Sequence, residues 1–458
     1  MTDNAPFSRA TGRGRHVIPD DLLRTLFTPL LKHNRAALAV SGGSDSVALM
    51  HLAARWCSIV ARHPNSFTVL TVDHGLREGS CGEAEEVARR AEQLGFGRAV
   101  LTWDGVKPRT RLQEQAREAR YALMTAYCRA HGLTALVTAH TMEDQAETLI
   151  LRLARGSGVD GLSAMAAEAE VGGVSLLRPL LGVSRARLRG VLRAAGETWI
   201  DDPSNENLAF ERIRIRKAAR HLAALGVTPA AIARSAARLR YARDALDESA
   251  GHLFSDIGAF KPEGYAVLDR VGLARAPFEL AIRVLSRLIR STGGQTAPRR
   301  AKLEKLMREL KSGGKCATLG GCVFDVSGDT LRIFREAGRM DSRPLPIAPG
   351  HTLIWDGRFR VSLAASARVN ACVAPLGEPG WRAVVSAHAQ ASSKTAARSG
   401  LPPRLAGIAT PALWERSTLL HAPLLDWKHP RLAECTGTDA GLSAQFLPFL
   451  EMQAQAAR

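Results

Sequence analysis

The sequence predicts an α/β protein whose N-terminal part is a parallel β-sheet covered by helices. Two observations predict this fold class. Short apolar runs alternate with longer amphipathic segments over the first two hundred residues, and polar motifs follow directly on several of the apolar runs. The alternation is typical of parallel strands joined by helices. Because such sheets bind ligands at the carboxyl ends of their strands, we expect a ligand site at that edge.

The predicted elements follow one another in the order that this fold requires. The predicted strands are residues 36–40, 67–72, 99–103 and 135–138. The predicted helices between them are residues 46–62, 81–94 and 111–131. Farther on, residues 227–311 are expected to be mostly helical, and residues 321–335 and 352–361 to form strands. Asp356-Gly357 predicts a tight hairpin within the last of these segments.

The charge of the chain predicts a polyanionic partner. Its 458 residues include 62 Lys and Arg against 44 Asp and Glu, which gives a formal net charge of +18. The basic residues cluster within residues 185–193, 212–220 and 299–315, and such clusters attract nucleic-acid phosphates irrespective of base sequence. The residues expected to bind nucleic acid are Arg185, Arg187, Arg214, Arg216, Lys217, Arg299 and Arg300.

The cysteines and the apolar segments indicate a cytoplasmic protein. The seven cysteines are scattered and no pair has CxxC spacing, which argues against a disulfide framework or a four-cysteine zinc site. No apolar run approaches the roughly 18 residues of a membrane span. The N-terminal arginines are not followed by an apolar segment, so no secretory signal is expected.

The loop after the first predicted strand has the composition of a phosphate site. It reads SGGSDS at residues 41–46, and glycines allow a sharp turn and close approach of a ligand. Amides at the start of the next helix favour an anion. Asp45 does not suit a bare anion site, so we infer a bridging Mg²⁺. The alternative is an ordinary strand-to-helix turn with an N-cap; the common P-loop GxxxxGK[ST] is absent.

Two further polar motifs follow predicted strands. Asp73 and His74 follow the second strand. Asp73 either caps the turn or accepts a hydrogen bond from a ribose or an amine. His74 either binds the ligand or packs in the core. His140, Asp144 and Glu147 follow the fourth. Asp144 and Glu147 share one face of a starting helix, where they either complement the helix dipole or hold a cation or an amine.

The helix between these motifs carries Arg117 and Arg120, one turn apart. One of them could reach a phosphate while the other pairs with Glu114 or Glu118. The alternative is that both belong to a solvated, charged helix face.

Seven motifs in fixed order resemble the tRNA(Ile)-lysidine synthetases, a family of the PP-loop (N-type ATP pyrophosphatase) superfamily. They are SGGSDS, VDHGLR, ARxARY, TAHxxxDQxET, RGSGxxGL, RPLL and WIDDPSN. The likeness is close over residues 34–220 and looser in the second half. The chain departs from the family pattern at Thr141, where a second histidine is common.

The resemblance implies a parallel-sheet PP-loop fold and an ATP-dependent reaction on an isoleucine tRNA with a CAU anticodon. The wobble cytidine is adenylated at its C2 oxygen, and L-lysine then displaces AMP to form lysidine. The implied ATP-binding residues are Ser41, Gly42, Gly43, Ser44, Asp45, Ser46, Asp73 and His74. The implied catalytic residues are Asp45, Arg117, His140, Asp144, Glu147 and Arg212, with Asp45 and Asp144 on Mg²⁺.

The resemblance also implies a domain order. A basic tail (1–18) precedes the PP-loop catalytic domain (19–222), a mainly helical middle domain (223–335) and a small mixed α/β C-terminal domain (336–458). The last two would contact tRNA, and a homodimer is left open. The alternatives are a tRNA thiolase, for which the chain has no CxxC pair, a small-molecule PP-loop synthetase, and a non-catalytic RNA-binding protein on the same scaffold.

Overall fold

The computed structural model describes residues 18–75, 79–104, 112–200, 211–294, 297–314, 316–391, 401–432 and 441–448. The contacts divide the chain into two compact units, residues 1–243 and 244–458. The predicted basic tail lies outside the described residues except for Ile18. In the described parts of the chain, no helix is both long and apolar enough to cross a membrane.

The first unit contains helices on a single sheet. Its strands are β1 (Ala36–Ala39), β2 (Phe67–Asp73), β3 (Gly97–Thr102), β4 (Ala135–Val137), β5 (Glu168–Val171) and β6 (Val174–Leu177). Its helices are α1 (Asp20–Phe27), α2 (Ser44–Ile59), α3 (Ser80–Gln93), α4 (Leu112–Ala130), α5 (Met142–Ala154), α6 (Val159–Leu162), α7 (Arg185–Ala194) and α8 (Glu211–Ala224). The long α9 (Pro229–Ile257) ends in the residues of the second unit.

The sheet of the first unit has the strand order β3-β2-β1-β4-β6-β5. Strands β1, β2, β3, β4 and β6 pair in parallel, and β5 adds an antiparallel edge. The chain moves outward from β1 to β3 and then returns to the other side of β1 with β4. In sheets of this kind ligands bind in the crevice at such a reversal, which lies here at the carboxyl ends of β1 and β4. The α/β prediction is confirmed.

Two apolar cores cover the two faces of this sheet. Leu38 of β1 packs in one core with Trp56 of α2. The preceding residue, Ala37, belongs to the other core, with Met124 of α4. Alternate residues of a strand point to opposite faces, so burial on both faces requires an unbroken apolar strand. This explains why the strand sequences show runs rather than alternation.

The second unit is mixed. Its helices after α9 are α10 (Arg270–Arg275), α11 (Phe278–Gly293), α12 (Arg300–Lys311), α13 (Gly377–Ala391) and α14 (Arg404–Gly407). A five-stranded antiparallel sheet contains β7 (Gly258–Phe260), β8 (Ala266–Asp269), β11 (Thr330–Arg335), β10 (Cys322–Ser327) and β9 (Cys316–Leu319), in that order. The expected helical stretch 227–311 is therefore interrupted by β7 and β8.

Two more sheets follow in the second unit. One sheet contains, in this order, β12 (Leu345–Ile347), β15 (Ala371–Pro375), β16 (Pro411–Glu415), β17 (Thr418–Ala422) and β18 (Trp427–Lys428). The other contains, in this order, β13 (Thr352–Trp355), β14 (Phe359–Leu363) and β19 (Leu442–Phe446). The predicted hairpin is confirmed, because β13 and β14 pair antiparallel around Asp356 and Gly357, whose φ angles are 48° and 62°.

Candidate active site

The loop between β1 and α2 requires one of its two glycines for its own geometry. Gly42 has a φ of +84°, and a Cβ there would lie 2.7 Å from Ile200 Cδ1. The Gly42 carbonyl also accepts a hydrogen bond from the Ile200 amide at 3.0 Å. Gly43, at the N-cap of α2, has an ordinary φ of −71°. A Cβ on Gly43 would meet nothing nearer than Ser41 Oγ at 4.0 Å, so no contact among the described residues requires glycine there.

The serines of the loop mainly stabilise its shape. Ser46 Oγ accepts from the Ser41 amide at 3.1 Å and donates to the Gly43 carbonyl at 2.9 Å. Ser44 Oγ lies 3.4 Å from Asp45 Oδ1. The amides at the start of α2 are consequently held at the carboxyl end of β1, as an anion site requires.

The helix after β4 begins with a capping box. Thr141 is the N-cap of α5, and Asp144 Oδ2 accepts from the Thr141 amide at 2.8 Å and from its hydroxyl at 2.9 Å. The reciprocal arrangement satisfies amides at the helix start. Asp144 thus uses one oxygen, Oδ2, at the start of the helix, and Oδ1 remains for other partners.

Three carboxylates meet at the guanidinium group of Arg185, the first residue of α7. Arg185 Nε donates to Asp45 Oδ2 at 3.0 Å, and Nη1 donates to Glu147 Oε1 at 3.0 Å. Its Nη2 donates to Asp144 Oδ1. Asp144 and Glu147 are buried, and Asp45 is half-buried. The structure therefore brings the motifs after β1 and β4 into one cluster, at the predicted edge of the sheet.

Arg216 of α8 joins the same cluster. Its Nε and Nη2 donate to the two oxygens of Glu147 at 2.6 and 3.2 Å, and Nη2 lies 3.7 Å from Asp144 Oδ1. Two arginines that charge clustering assigned to nucleic acid, Arg185 and Arg216, thus pair with acidic side chains. Sequence reasoning missed this placement, because both lie in runs of arginines with nothing local to distinguish them.

The charges of the cluster perturb its pKa values in opposite directions. Burial raises the pKa of Asp45, and the nearby Arg185 opposes this effect. Burial also disfavours the charged form of Asp144, but Arg185 and the hydrogen bonds from Thr141 outweigh it and lower the pKa of Asp144. Burial disfavours the charged form of Arg185 as well, yet the three carboxylates raise its pKa.

A second group of arginines lies near the cluster and near His140. Burial and the proximity of Arg117 lower the pKa of Arg212. Arg117 and Arg120 lie over the ring of Tyr121, with guanidinium carbons 5.1 and 5.8 Å from its centroid. Arg117 and Arg120 are both half-buried, so neither lies on a fully solvated helix face, and their proposed roles stay predictions. Like charges held this close favour binding of an anion.

His140 is half-buried beside the carboxylates. Its Nδ1 lies 2.8 Å from Thr138 Oγ1. Burial lowers its pKa to about 3, with Arg117 contributing and Asp144 opposing. The imidazole is consequently neutral at physiological pH and can exchange hydrogen bonds there without carrying charge.

The described contacts of the motif after β2 mainly stabilise the local structure. Asp73 Oδ1 accepts from the Gly75 amide at 2.9 Å and from Ser80 Oγ at 2.7 Å, which caps the turn before α3. The ring of His74 packs edge-on against Trp103, with centroids 5.9 Å apart. The proposed contacts of Asp73 and His74 with ATP stay predictions.

The remaining nucleic-acid candidates differ in their surroundings. Arg187 is half-buried, whereas Arg214 and Lys217 of α8 are exposed. In the second unit, Arg299 is exposed. Its neighbour Arg300 pairs with Glu279 and Glu304, each at 2.8 Å. The roles of all five stay predictions.

The acidic side chains of the cluster bear on the proposed Mg²⁺ site. No group of three or more His, Cys, Asp or Glu residues is placed to hold a metal ion in the described ranges. Asp45 and Asp144 are, however, close enough to share one guanidinium group. Mg²⁺ commonly takes only one or two carboxylates together with substrate phosphates, so the pair fits a metal that arrives with a nucleotide.

Comparisons with known proteins agree with this geometry. A family model described as a PP-loop domain matches residues 19–222. A tRNA(Ile)-lysidine synthase from Ruegeria pomeroyi is 36% identical over 90% of this chain and 94% of that protein. One from Methylobacterium nodulans is 43% identical over 66% of this chain and 90% of that protein.

Solved structures give a weaker likeness. The U34-tRNA thiolase NcsA from Methanococcus maripaludis aligns with 48% of this chain and 77% of that chain, at 16% identity and a TM-score of 0.40. The similarity to the two synthases is much higher and spans nearly the whole length of each. The chain belongs to the tRNA(Ile)-lysidine synthase family.

Proposed function

We propose that this chain uses ATP to join lysine to C2 of the wobble cytidine of an isoleucine tRNA with a CAU anticodon. One observation carries the proposal: the loop after β1 and the acidic residues after β4 meet at Arg185, on the reversal of strand order. A nucleotide and an amine can therefore occupy one crevice. The names of the curated relatives supply the substrate class.

In the first step, the cytidine C2 oxygen attacks the α-phosphate of ATP and pyrophosphate leaves. The loop at residues 41–46 would hold the phosphates through the amides of α2, and Gly43 leaves room for their approach. Arg117 and Arg212 would stabilise the charge that develops on the phosphates. Their half-buried position makes that stabilisation stronger than it would be in water.

Mg²⁺ is the proposed companion of the nucleotide. Asp45 and Asp144 would hold it, since they lie on either side of the crevice and within reach of a single cation. When bound, the metal would neutralise charge on the departing pyrophosphate.

In the second step, the neutral form of the lysine amine attacks C2, the C–O bond breaks, AMP leaves and the amine nitrogen releases a proton. Glu147 and Asp144 would bind an ammonium group of lysine, since they are buried carboxylates that meet at one guanidinium group, and Asp144 Oδ1 would be shared between the ammonium group and Mg²⁺. His140 has a pKa of about 3, which makes it a weak base at neutral pH. Its proposed role is therefore to orient a substrate group by hydrogen bonding.

The second half of the chain is the proposed tRNA-binding part. We assign tRNA contacts to residues 223–335 and 336–458, following the expected domain order, and to Arg187, Arg214 and Lys217 beside the crevice. The support is electrostatic: Arg214 and Lys217 are exposed and Arg187 is half-buried, and basic side chains that reach solvent supply the phosphate contacts of nucleic-acid binding.

The test is a labelling experiment with purified protein, ATP, Mg²⁺ and radioactive lysine. A transcript of isoleucine tRNA with a CAU anticodon should gain the label, and a methionine tRNA with the same anticodon should not. Incorporation of sulfur instead would indicate the thiolase alternative, and binding of tRNA without any modification would indicate a non-catalytic protein.

A further inference from the structure

A single guanidinium group is bonded to all three acidic side chains of the site. Each of the three nitrogens of Arg185 donates to a different carboxylate: Nε to Asp45, Nη1 to Glu147 and Nη2 to Asp144. Asp144 and Glu147 are the residues proposed to bind the lysine ammonium group. An ammonium ion competes for the same oxygens, because both cations need the acceptors that face the crevice.

The other oxygens of this pair are already engaged. Asp144 Oδ2 accepts two hydrogen bonds from Thr141 within the capping box. Glu147 Oε2 accepts from Arg216 Nη2 at 3.2 Å, and Oε1 is shared between Arg216 Nε at 2.6 Å and Arg185 Nη1 at 3.0 Å. The inward acceptors that Arg185 occupies are therefore the ones a substrate amine would need. Lysine can bind these carboxylates only when the Arg185 guanidinium group has moved.

The position of Arg185 makes the nucleotide the natural cause of that movement. Its partner Asp45 lies in the first turn of α2, directly after the phosphate-type loop. Arg189, one turn farther along α7, places its Nε 3.5 Å from Ser44 Oγ of the same loop. This face of α7 is thus directed at the loop, and arginine forms strong bidentate hydrogen bonds with phosphate.

The backbone at Arg185 is fixed independently of its guanidinium group. The Arg185 amide donates to Glu143 Oε2 at 3.0 Å, and Ser184 caps the N-terminus of α7. A change of partner by Arg185 therefore needs only a side-chain rearrangement, which costs far less than moving a helix.

We propose that Arg185 is a positioning residue that couples nucleotide binding to lysine binding. Its guanidinium group occupies the ammonium site until the phosphates of ATP draw it away, so ATP strengthens the binding of lysine. This inference rests on the proposed function, in which lysine is the amine substrate. Linkage requires the effect to be reciprocal, so lysine strengthens ATP binding by the same factor.

Calorimetric titration tests the coupling without turnover. Lysine is titrated into the full-length protein with Mg²⁺, in the presence and absence of α,β-methylene-ATP, which cannot be cleaved between its α- and β-phosphates. In the wild type, the analogue should tighten lysine binding by about 5- to 150-fold, the usual range of coupling between two sites. Arg185→Gln should bind lysine more tightly than the wild type without the analogue, and its coupling factor should approach one.

The matched control is Arg193→Gln, which removes an exposed positive charge from the same helix. This variant should show the same coupling factor between the analogue and lysine as the wild type. Arg185→Lys retains a charge in the cluster but cannot donate to three carboxylates from a rigid fork, so its factor should lie between those of the wild type and Arg185→Gln. It replaces Arg185→Gln if circular dichroism shows that the latter does not fold.

The outcomes separate the coupling from the proposed function. If Arg185→Gln shows the same coupling factor as the wild type, the proposed role of Arg185 is overturned. If Arg185→Gln is unfolded, the same result for Arg185→Lys overturns it. A wild type that incorporates lysine into tRNA but shows no coupling would overturn it too. A wild type that neither binds lysine under any condition nor incorporates it would reject the proposed function, and with it the coupling.

Discussion

At the scale of single residues, the surroundings of Asp45 explain why a carboxylate lies in a phosphate-type loop. A carboxylate in the first turn of a helix repels an anion bound at the same helix start unless a cation lies between them. In the structure that cation is the Arg185 guanidinium group, and in the proposed reaction it would be Mg²⁺. We therefore propose that Asp45 serves the chemistry of the loop rather than its shape, which Gly42 and Ser46 determine.

Asp45→Asn should consequently lower adenylation without abolishing tRNA binding. The rate of pyrophosphate release should fall by about 10²- to 10³-fold, the usual effect of removing one electrostatic contact to a transition state. Filter binding of the tRNA should be unchanged within error. Equal losses in both measurements would show that Asp45 maintains the fold of the loop.

The pKa of His140 gives a second prediction at this scale. Its value of about 3 lies well below that of an unfolded histidine. The folded state thus binds fewer protons than the unfolded state between about pH 3 and pH 6.5, so stability is complete above that window and decreases as the pH falls through it. The NMR signal of His140, assigned with His140→Gln, should show no protonation between about pH 5 and pH 8. A midpoint near 6.5 would contradict the burial of this ring.

The role of a residue was predictable only where its position in the chain determines which part of the fold it occupies. The convergence of Asp45, Asp144 and Glu147 follows from strand ends that meet at one edge of a parallel sheet. Arg185 and Arg187 stand two positions apart in one basic helix, and the sequence offers no reason to separate them. Only the orientation of α7 places Arg185 on the carboxylates.

At the scale of elements, a buried ionic group stabilises the hairpin of the second unit. Asp356 accepts from Arg335 Nε at 3.0 Å and from Arg358 Nε at 2.7 Å, and both arginines are buried. Their remaining nitrogens donate to backbone carbonyls, including those of Gly293 and Ala409. The hairpin therefore fixes several segments of its unit through one carboxylate.

Asp356→Asn should destabilise the protein strongly. The substitution leaves two buried guanidinium groups without a counter-charge. Removal of one partner of a buried ion pair lowers the free energy of unfolding by about 3–5 kcal/mol. The control is Asp341→Asn, which removes an exposed ion pair with Arg343 and should change stability little. Denaturant unfolding monitored by circular dichroism measures both, and a similar small effect of the two variants would contradict this account.

Elements were predictable in proportion to their length and periodicity. The predicted strands and helices of the parallel sheet agree with β1 to β4 and α2 to α4 within two residues, the usual uncertainty of element ends, except that α2 ends at Ile59 and not at residue 62. The four-residue β8 has no detectable period of its own. It forms because Leu268 pairs with Leu331, more than sixty residues away, in the sheet of the second unit.

At the scale of the whole molecule, the positive charge predicts salt-dependent tRNA binding. Arg299 is exposed, whereas Arg300 is paired with two glutamates. Arg299→Ala should therefore reduce the slope of log K against log salt concentration by about one. Arg300→Ala should reduce it less, because its charge is balanced within the protein. A larger effect of Arg300→Ala would contradict the assignment of Arg299 to a phosphate contact.

The central claim is that one crevice cleaves ATP between its α- and β-phosphates and then passes the activated tRNA to lysine. The most direct test follows [α-³²P]ATP with isoleucine tRNA and Mg²⁺ in the absence of lysine. The label should appear on the tRNA, and addition of lysine should release it as AMP. Release of ADP, or labelling of the tRNA only from [γ-³²P]ATP, would contradict the account.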